Sequence, residues 1–166
     1  MGQLHMRRVV SRRDVSLPVG YGSRLYRDGD DVVWTDIMNR SNPKQRTVAD
    51  SVEEYLGQPH FDPEGCFFVC CGEEPVGSVF VQEVDGKTGT LGMMAVVPEH
   101  RGKRLGEYLC SLLFSRLAEE GLGECILTTD DWRIPAIRLY LRVGFDPDIC
   151  EAGHKERWAK IMEGIR

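Results

Sequence analysis

Residues 93–106 read MMAVVPEHRGKRLG. An apolar run of strand composition stops at Pro98, which has no N–H with which to continue a ladder. A short loop follows, carrying Arg101, Gly102, Lys103 and Arg104, and it leads directly into LGEYLCSLLFSRLAEEG. That segment sets Leu105, Tyr108, Leu109, Leu112, Leu113 and Leu117 on one stripe, with Gly121 just past its end, and so predicts the strongest helix of the chain. A helix start leaves backbone N–H groups unpaired at the positive end of the dipole. Gly102 permits close approach and three cations stand beside it, so this strand-to-helix turn is a candidate anion site of the kind that takes a pyrophosphate. It is not a P-loop, because GxxxxGK followed by Ser or Thr is absent. It is not a dinucleotide fingerprint either, because GxGxxG is absent.

Working outward, the runs GCFFVCCG, VGSVFVQEV and TLGMMAVV are separated by the turn signals EEP and DGKTG, which predicts a three-strand antiparallel meander over residues 66–97. Downstream, ECILTTDD reads as a strand. IPAIRLYLRVGF reads as a short helix, with Pro135 tolerated in its first turn and Gly144 as its stop. HKERWAKIMEGI predicts a last helix with Trp158, Ile161, Met162 and Ile165 apolar. Upstream, residues 1–19 form an arm or an edge strand, and YGSRLY a short strand. Asp28 or Asp30 is placed to cap a helix over VVWTDIMNR, and a second helix covers VADSVEEYLG. A strand–helix–strand unit inside a mixed sheet makes this an α/β (α+β) fold.

Composition narrows the function. The chain has 166 residues with 21 basic and 26 acidic side chains, a net charge of −5. It is too short for a (β/α)₈ barrel, which needs about 250 residues. The acidic balance speaks against a nucleic-acid partner. No run is long and apolar enough to span a membrane, and no leader pattern opens the chain, so a cytoplasmic protein without a membrane partner is expected. Residues 61–100 hold seven acids and only Lys87 as a base, which suits a solvated sheet face or a cationic substrate. The six cysteines contain no CxxC pair, so reduced structural thiols are expected and no metal site.

Two segments carry a family resemblance. VVPEHRGKRLGEYL resembles motif A of the GCN5-related N-acetyltransferases (GNAT), written Q/R-x-x-G-x-G/A, with Arg101 first and Gly106 last. Arg104 stands where the motif has its middle glycine. Ala136 to Phe145, AIRLYLRVGF, is similar to motif B, A-I-x-L-Y-x-x-x-G-F, although the Asn usual three residues before the Ala is Arg133 here. The resemblance covers residues 20–145, most nearly that of bacterial members similar to the halves of mycothiol synthases.

It implies a mostly antiparallel sheet of about six strands with about four helices, in one acetyltransferase domain over residues 1–166. Residues 146–166 would be a helical extension in place of the strand that often follows Gly-Phe. The implied reaction is direct acetyl transfer from acetyl-CoA, as acyl donor, to an amine of a small molecule or peptide. Val96 and Val97 on a splayed strand would hold the pantetheine arm and offer an N–H to the oxyanion. Arg101, Gly102, Lys103, Arg104, Leu105 and Gly106 would take the pyrophosphate, with Arg133 nearby.

Tyr140 matches the tyrosine that protonates the leaving thiolate. For the base, Glu83 is the first candidate, with Asp130, Asp131 and His100 behind it and a water chain as the alternative. Trp34 and Asn39 would border the acceptor pocket together with Asp130, and Trp132 stands near. A small-molecule or peptide amine as acceptor and a monomer or homodimer as assembly are expected. Two further readings stay open: a non-catalytic CoA-binding or protein-interaction module with the same fold, and a thiol sensor built on Cys70 and Cys71.

Overall fold

The computed structural model describes residues 2–83 and 85–165, Glu83 by its backbone alone. The three predicted meander strands form: β3 (Cys66–Cys71), β4 (Glu74–Glu83) and β5 (Thr88–Val96) pair antiparallel in sequence. β2 (Tyr21–Leu25) adds to the outer edge of β3. On the other side β5 meets β6 (Glu124–Thr129), and this pair is parallel. The sheet then continues through β1 (Leu4–Val9) to β7 (Asp146–Asp148), giving the order β2-β3-β4-β5-β6-β1-β7.

Two features differ from the sequence expectation. β1 is not an arm or an edge strand. It lies between β6 and β7, with Leu4 and Met6 fully buried, because its alternate residues are apolar enough to face a core. β7 does pair back after Gly144-Phe145, in three residues containing Pro147, too short and polar to be legible. The last helix still follows it. Among the described residues the sheet therefore has seven strands and there are five α-helices, against about six and about four.

The helices are α1 (Asp31–Ser41), α2 (Val48–Ser51), α3 (Leu105–Glu119), α4 (Ile134–Arg142) and α5 (His154–Ile165). The expected second helix is only partly α. Thr47 and Asp50 make a reciprocal capping box at its start, and Val52–Leu56 then widens into a π turn. α1 and α3 pack on opposite faces of the sheet. On one, Phe80 lies over Gly92 and meets Trp34 of α1; on the other, Leu117 of α3 rests on Gly89. Residues 89 and 92 are an odd number apart and so point to opposite sides.

Asp30 sits at the cap position of α1, yet its carboxylate does not cap the helix. It accepts two bonds from Arg24 of β2, at 2.6 and 2.9 Å, and one from the Arg27 N–H at 2.7 Å. Burial alone would raise its pKa; the Arg24 and Arg27 bonds prevail and hold it below the usual carboxylate range. A depressed folded pKa stabilises above the unfolded value near 3.9 and is lost as pH falls through the folded one. We expect Asp30→Asn to cost about 2 kcal/mol at pH 7 in urea unfolding. The gap from wild type should shrink at pH 3.

Candidate functional site

The parallel β5–β6 ladder is short. It runs from Thr88 opposite Glu124 to Thr90 opposite Ile126 and then stops, although both strands continue. The cause is a bulge in β5. Two steps along β4, from Ser78 to Phe80, match three along β5, from Ala95 to Gly92, and Met93 takes φ +27°. A bulge bends its strand and increases the twist. β5 therefore leaves β6, and a gap opens between their C-terminal ends.

Strand parity says which backbone groups face this gap. The Val97 N–H donates to the Val76 carbonyl at 2.9 Å, so Val97 turns toward β4. Val96, opposite Gly77, must then point its N–H and C=O away from β4 and into the gap. Its carbonyl accepts from Arg101 Nε at 2.9 Å. Of the two valines singled out in the sequence, Val96 is the one whose amide faces the opening; the N–H of the fully buried Val97 is already used.

A cleft of about 580 Å³ occupies this place. β5 contributes Met94, Ala95 and Val96; the start of α3 contributes Arg101, Gly102, Arg104, Leu105 and Gly106; α4 and the turn before it contribute Trp132, Arg133, Leu139 and Tyr140. Ser41 and Asn42 close one side from the end of α1. Lys103 is exposed and is not part of the lining. Gly106 has a packing reason as well: a Cβ there would stand 2.8 Å from Leu139, so its absence lets α3 and α4 approach.

Arg104 explains its own departure from motif A. It occupies the cap position of α3 with φ 61° and ψ 18°, the left-handed conformation that glycine enters freely. Its guanidinium bonds Glu107 at 3.0 Å. Arg142 and Arg13 reach the same carboxylate at 3.5 and 3.6 Å. The Arg104 bond, aided by these cations, holds the Glu107 carboxyl below its ordinary range despite burial.

Tyr140 is 7% exposed, packs edge-on against Phe145 at 5.9 Å, and still lines the cleft. Burial pushes its phenol pKa up, so the proton stays on at neutral pH. Arg133 stacks over Trp132 at 4.7 Å and bonds Asp130 at 3.3 Å.

Several sequence candidates lie elsewhere. Trp34 is fully buried against Tyr55 and Phe80 and is a core residue. Asn39 clasps the Arg46 backbone, donating to its carbonyl at 2.8 Å and accepting from its N–H at 3.0 Å, and so fixes the loop after α1. Asp130 is not in the cleft lining, though it bonds Arg133, which is, as well as Gln3; Asp131 is held by two bonds from Arg157 of α5. His100, by contrast, does line the cleft, with Nδ1 2.7 Å from the Tyr21 hydroxyl. The side chain of Glu83 lies outside the described residues. Its backbone pairs with Gly89, seven residues along β5 from Val96, or about 20 Å at strand spacing. Cys70 is buried, and burial pushes its thiol pKa up, the reverse of what a sensor thiol needs. No helix among the described residues is long and apolar enough to cross a membrane.

The model of the acetyltransferase (GNAT) family matches residues 32–145, which include β5, the turn, α3 and α4. The chain belongs to the acetyltransferase (GNAT) family. Among curated relatives it is 33% identical, over 138 residues, to a mycothiol acetyltransferase of Streptomyces bingchenggensis, covering 78% of this chain and 44% of that one. The chain thus spans about half the length of the curated relatives it matches. The structure resembles a GCN5-related N-acetyltransferase from Sphaerobacter thermophilus with a TM-score of 0.76 at 22% identity, covering 87% and 48% of the two chains. It also resembles Arabidopsis thaliana Naa50, solved with the bisubstrate analogue CoA-Ac-MVNAL, with a TM-score of 0.65 at 15% identity over 77% and 84%.

The sequence did not point to Ser41 and Asn42, because a helix end carries no signal of what it closes. Nor did it reveal the bulge, which depends on the register between β4 and β5. The left-handed cap makes a direct prediction. Arg104→Gly should leave stability within about 1 kcal/mol of wild type, since relief of the backbone offsets the lost ion pair. The β-branched Arg104→Val should cost about 2 kcal/mol or more. Thermal and urea unfolding of the two variants check this.

Proposed function

We propose that this chain is an acetyl-CoA-dependent N-acetyltransferase that moves an acetyl group to a primary amine of a small molecule or peptide. The observation that carries the reading is one cleft in which a gap-facing strand amide, a basic helix start and a protonated buried tyrosine converge. The residues present suit acetyl-CoA. The start of α3 presents its free N–H groups, with Arg101 and Arg104 adding charge, to a pyrophosphate. Val96 offers its N–H to the pantetheine arm or to the developing oxyanion.

In this reading the amine nitrogen attacks the thioester carbonyl carbon, and a tetrahedral intermediate forms. The C–S bond then breaks and Tyr140 gives its proton to the sulfur. The surplus proton of the amine passes through water to the Tyr140 phenolate and restores the phenol. Glu107 is a weak base, because three guanidiniums hold its carboxyl below the usual range and so lower its affinity for a proton. The acceptor therefore arrives as the free amine or loses its proton through water.

Calorimetric titration with acetyl-CoA, beside an Arg101→Glu variant, tests the binding half. Micromolar binding that the variant loses is the expected result; no binding of acetyl-CoA by the wild type would sink the reading. Thiol release over a panel of amines tests the chemistry. Tyr140→Phe should lower kcat about 100-fold or more while leaving the KM for acetyl-CoA nearly unchanged. Binding without thiol release from any amine would instead favour a non-catalytic CoA-binding module.

A further inference from the structure

Away from the cleft, three side chains converge where the C-terminal helix meets the sheet. His5 lies on β1 opposite Asp148 of β7, Glu151 is in the turn before α5, and His154 is the first residue of α5. His5 Nε2 stands 3.5 Å from one oxygen of Glu151, and His154 Nε2 stands 3.5 Å from the other. One ligand atom from each residue falls within 4.8 Å of the other two.

His154 is the decisive member. Its ring is fully buried. Nδ1 is 3.3 Å from the Asp148 carbonyl, an acceptor, so the Nδ1 proton is placed to donate there. That leaves Nε2 facing the Glu151 carboxylate, and Nε2 has no hydrogen-bond partner among the described residues. A buried polar atom without a partner demands a reason. With the proton on Nδ1, the Nε2 lone pair points at an anion, and a second imidazole, 5.4 Å away between ring centroids, approaches the same anion. Such an arrangement holds together when a cation lies among the three atoms. A backbone carbonyl that fixes the far nitrogen of a histidine is also the usual way a metal-binding imidazole is oriented.

We propose that His5, Glu151 and His154 form a binding site for a divalent transition-metal ion of the zinc type. Zinc binds imidazole nitrogen and carboxylate oxygen at about 2.0–2.2 Å, so tetrahedral neighbours stand about 3.4 Å apart. Each imidazole nitrogen stands at about that spacing from a different oxygen of Glu151. His5 and Glu151 are partly exposed and free to turn until both nitrogens and one carboxylate oxygen meet a single ion, and the exposed side leaves room for water as a fourth ligand. Cys150 is not a ligand in this set, because its sulfur lies 4.0 Å from Nδ1, the other edge of the His154 ring. The ion would clamp the start of α5 to β1, joining residues nearly the whole chain apart. Its effect would reach further, since Arg157 of the same helix holds Asp131, next to the cleft residues Trp132 and Arg133.

The test uses tag-free chain treated with a chelator and then dialysed. Zinc is titrated in competition with a chromophoric chelator, Co²⁺ is titrated by absorption, and melting is followed with and without zinc. One zinc per chain, a raised melting temperature, and a cobalt spectrum without a thiolate charge-transfer band are expected. His5→Ala and Glu151→Gln alter partly exposed side chains and should keep the metal-free melting temperature, yet each should weaken zinc about tenfold or more. Cys150→Ser should bind as wild type does. No zinc bound against the chelator would overturn the proposal. So would binding that survives both His5→Ala and Glu151→Gln, or that Cys150→Ser abolishes.

Discussion

β5 and β6 are joined for three residues and then part. Every feature of the cleft follows from that parting. Strand amides that leave a ladder need a new partner, and Val96 is left facing a gap rather than a neighbour. α3 can bring its N-terminus to the gap because the chain leaves β5 at its open end. α4 enters from the end of β6 and sets Tyr140 on the facing wall. The two described non-glycine residues with positive φ, Met93 and Arg104, both stand at this opening, one causing the bend and one starting the helix. Backbone held in rare conformations collects where function constrains it, and the rest of the sheet supplies the stability that tolerates it.

The surrounding packing is arranged to keep the gap from collapsing. Trp34 and Phe80 fill one face, and Leu117 and Phe114 the other. Arg8 on β1 lies 3.9 Å over the Phe114 ring and donates to the Val143 carbonyl at the end of α4, so the strand beyond β6 holds the helix that carries Tyr140. Burial lowers the Arg8 pKa, yet the aromatic face and the carbonyl give the cation an environment it can keep. The buried thiols Cys66 and Cys125, both pushed up to about 12, behave as small apolar residues in this packing.

Periodic segments were legible. The leucine stripe of α3 and the apolar meander were readable because each repeats a local pattern over many residues. The start of α5 at His154 agrees with the sequence expectation as well. What escaped depends on tertiary placement. Trp34 has the same composition signal whether it lines a pocket or fills a core. Asp30 looks like a cap until Arg24 arrives from β2 to claim it. β1 carries an apolar alternation too short to say whether one or both of its edges are paired. His5 and His154 have no spacing motif, because the fold and not the sequence makes them neighbours.

The bulge at Met93 can also be read as arithmetic. Two residues of β5, Met93 and Met94, stand where β4 has Val79 alone. A strand one residue shorter would pair evenly with β4, keep the same side chains on each face, and run straight beside β6 to its end. The ladder between β5 and β6 would then be free to continue, and the space between them to close, at the cost only of what Met93 or Met94 packs against. The cavity of this protein is thus not carved out by small side chains. It is a difference in length between two neighbouring strands, written into the chain as one surplus residue.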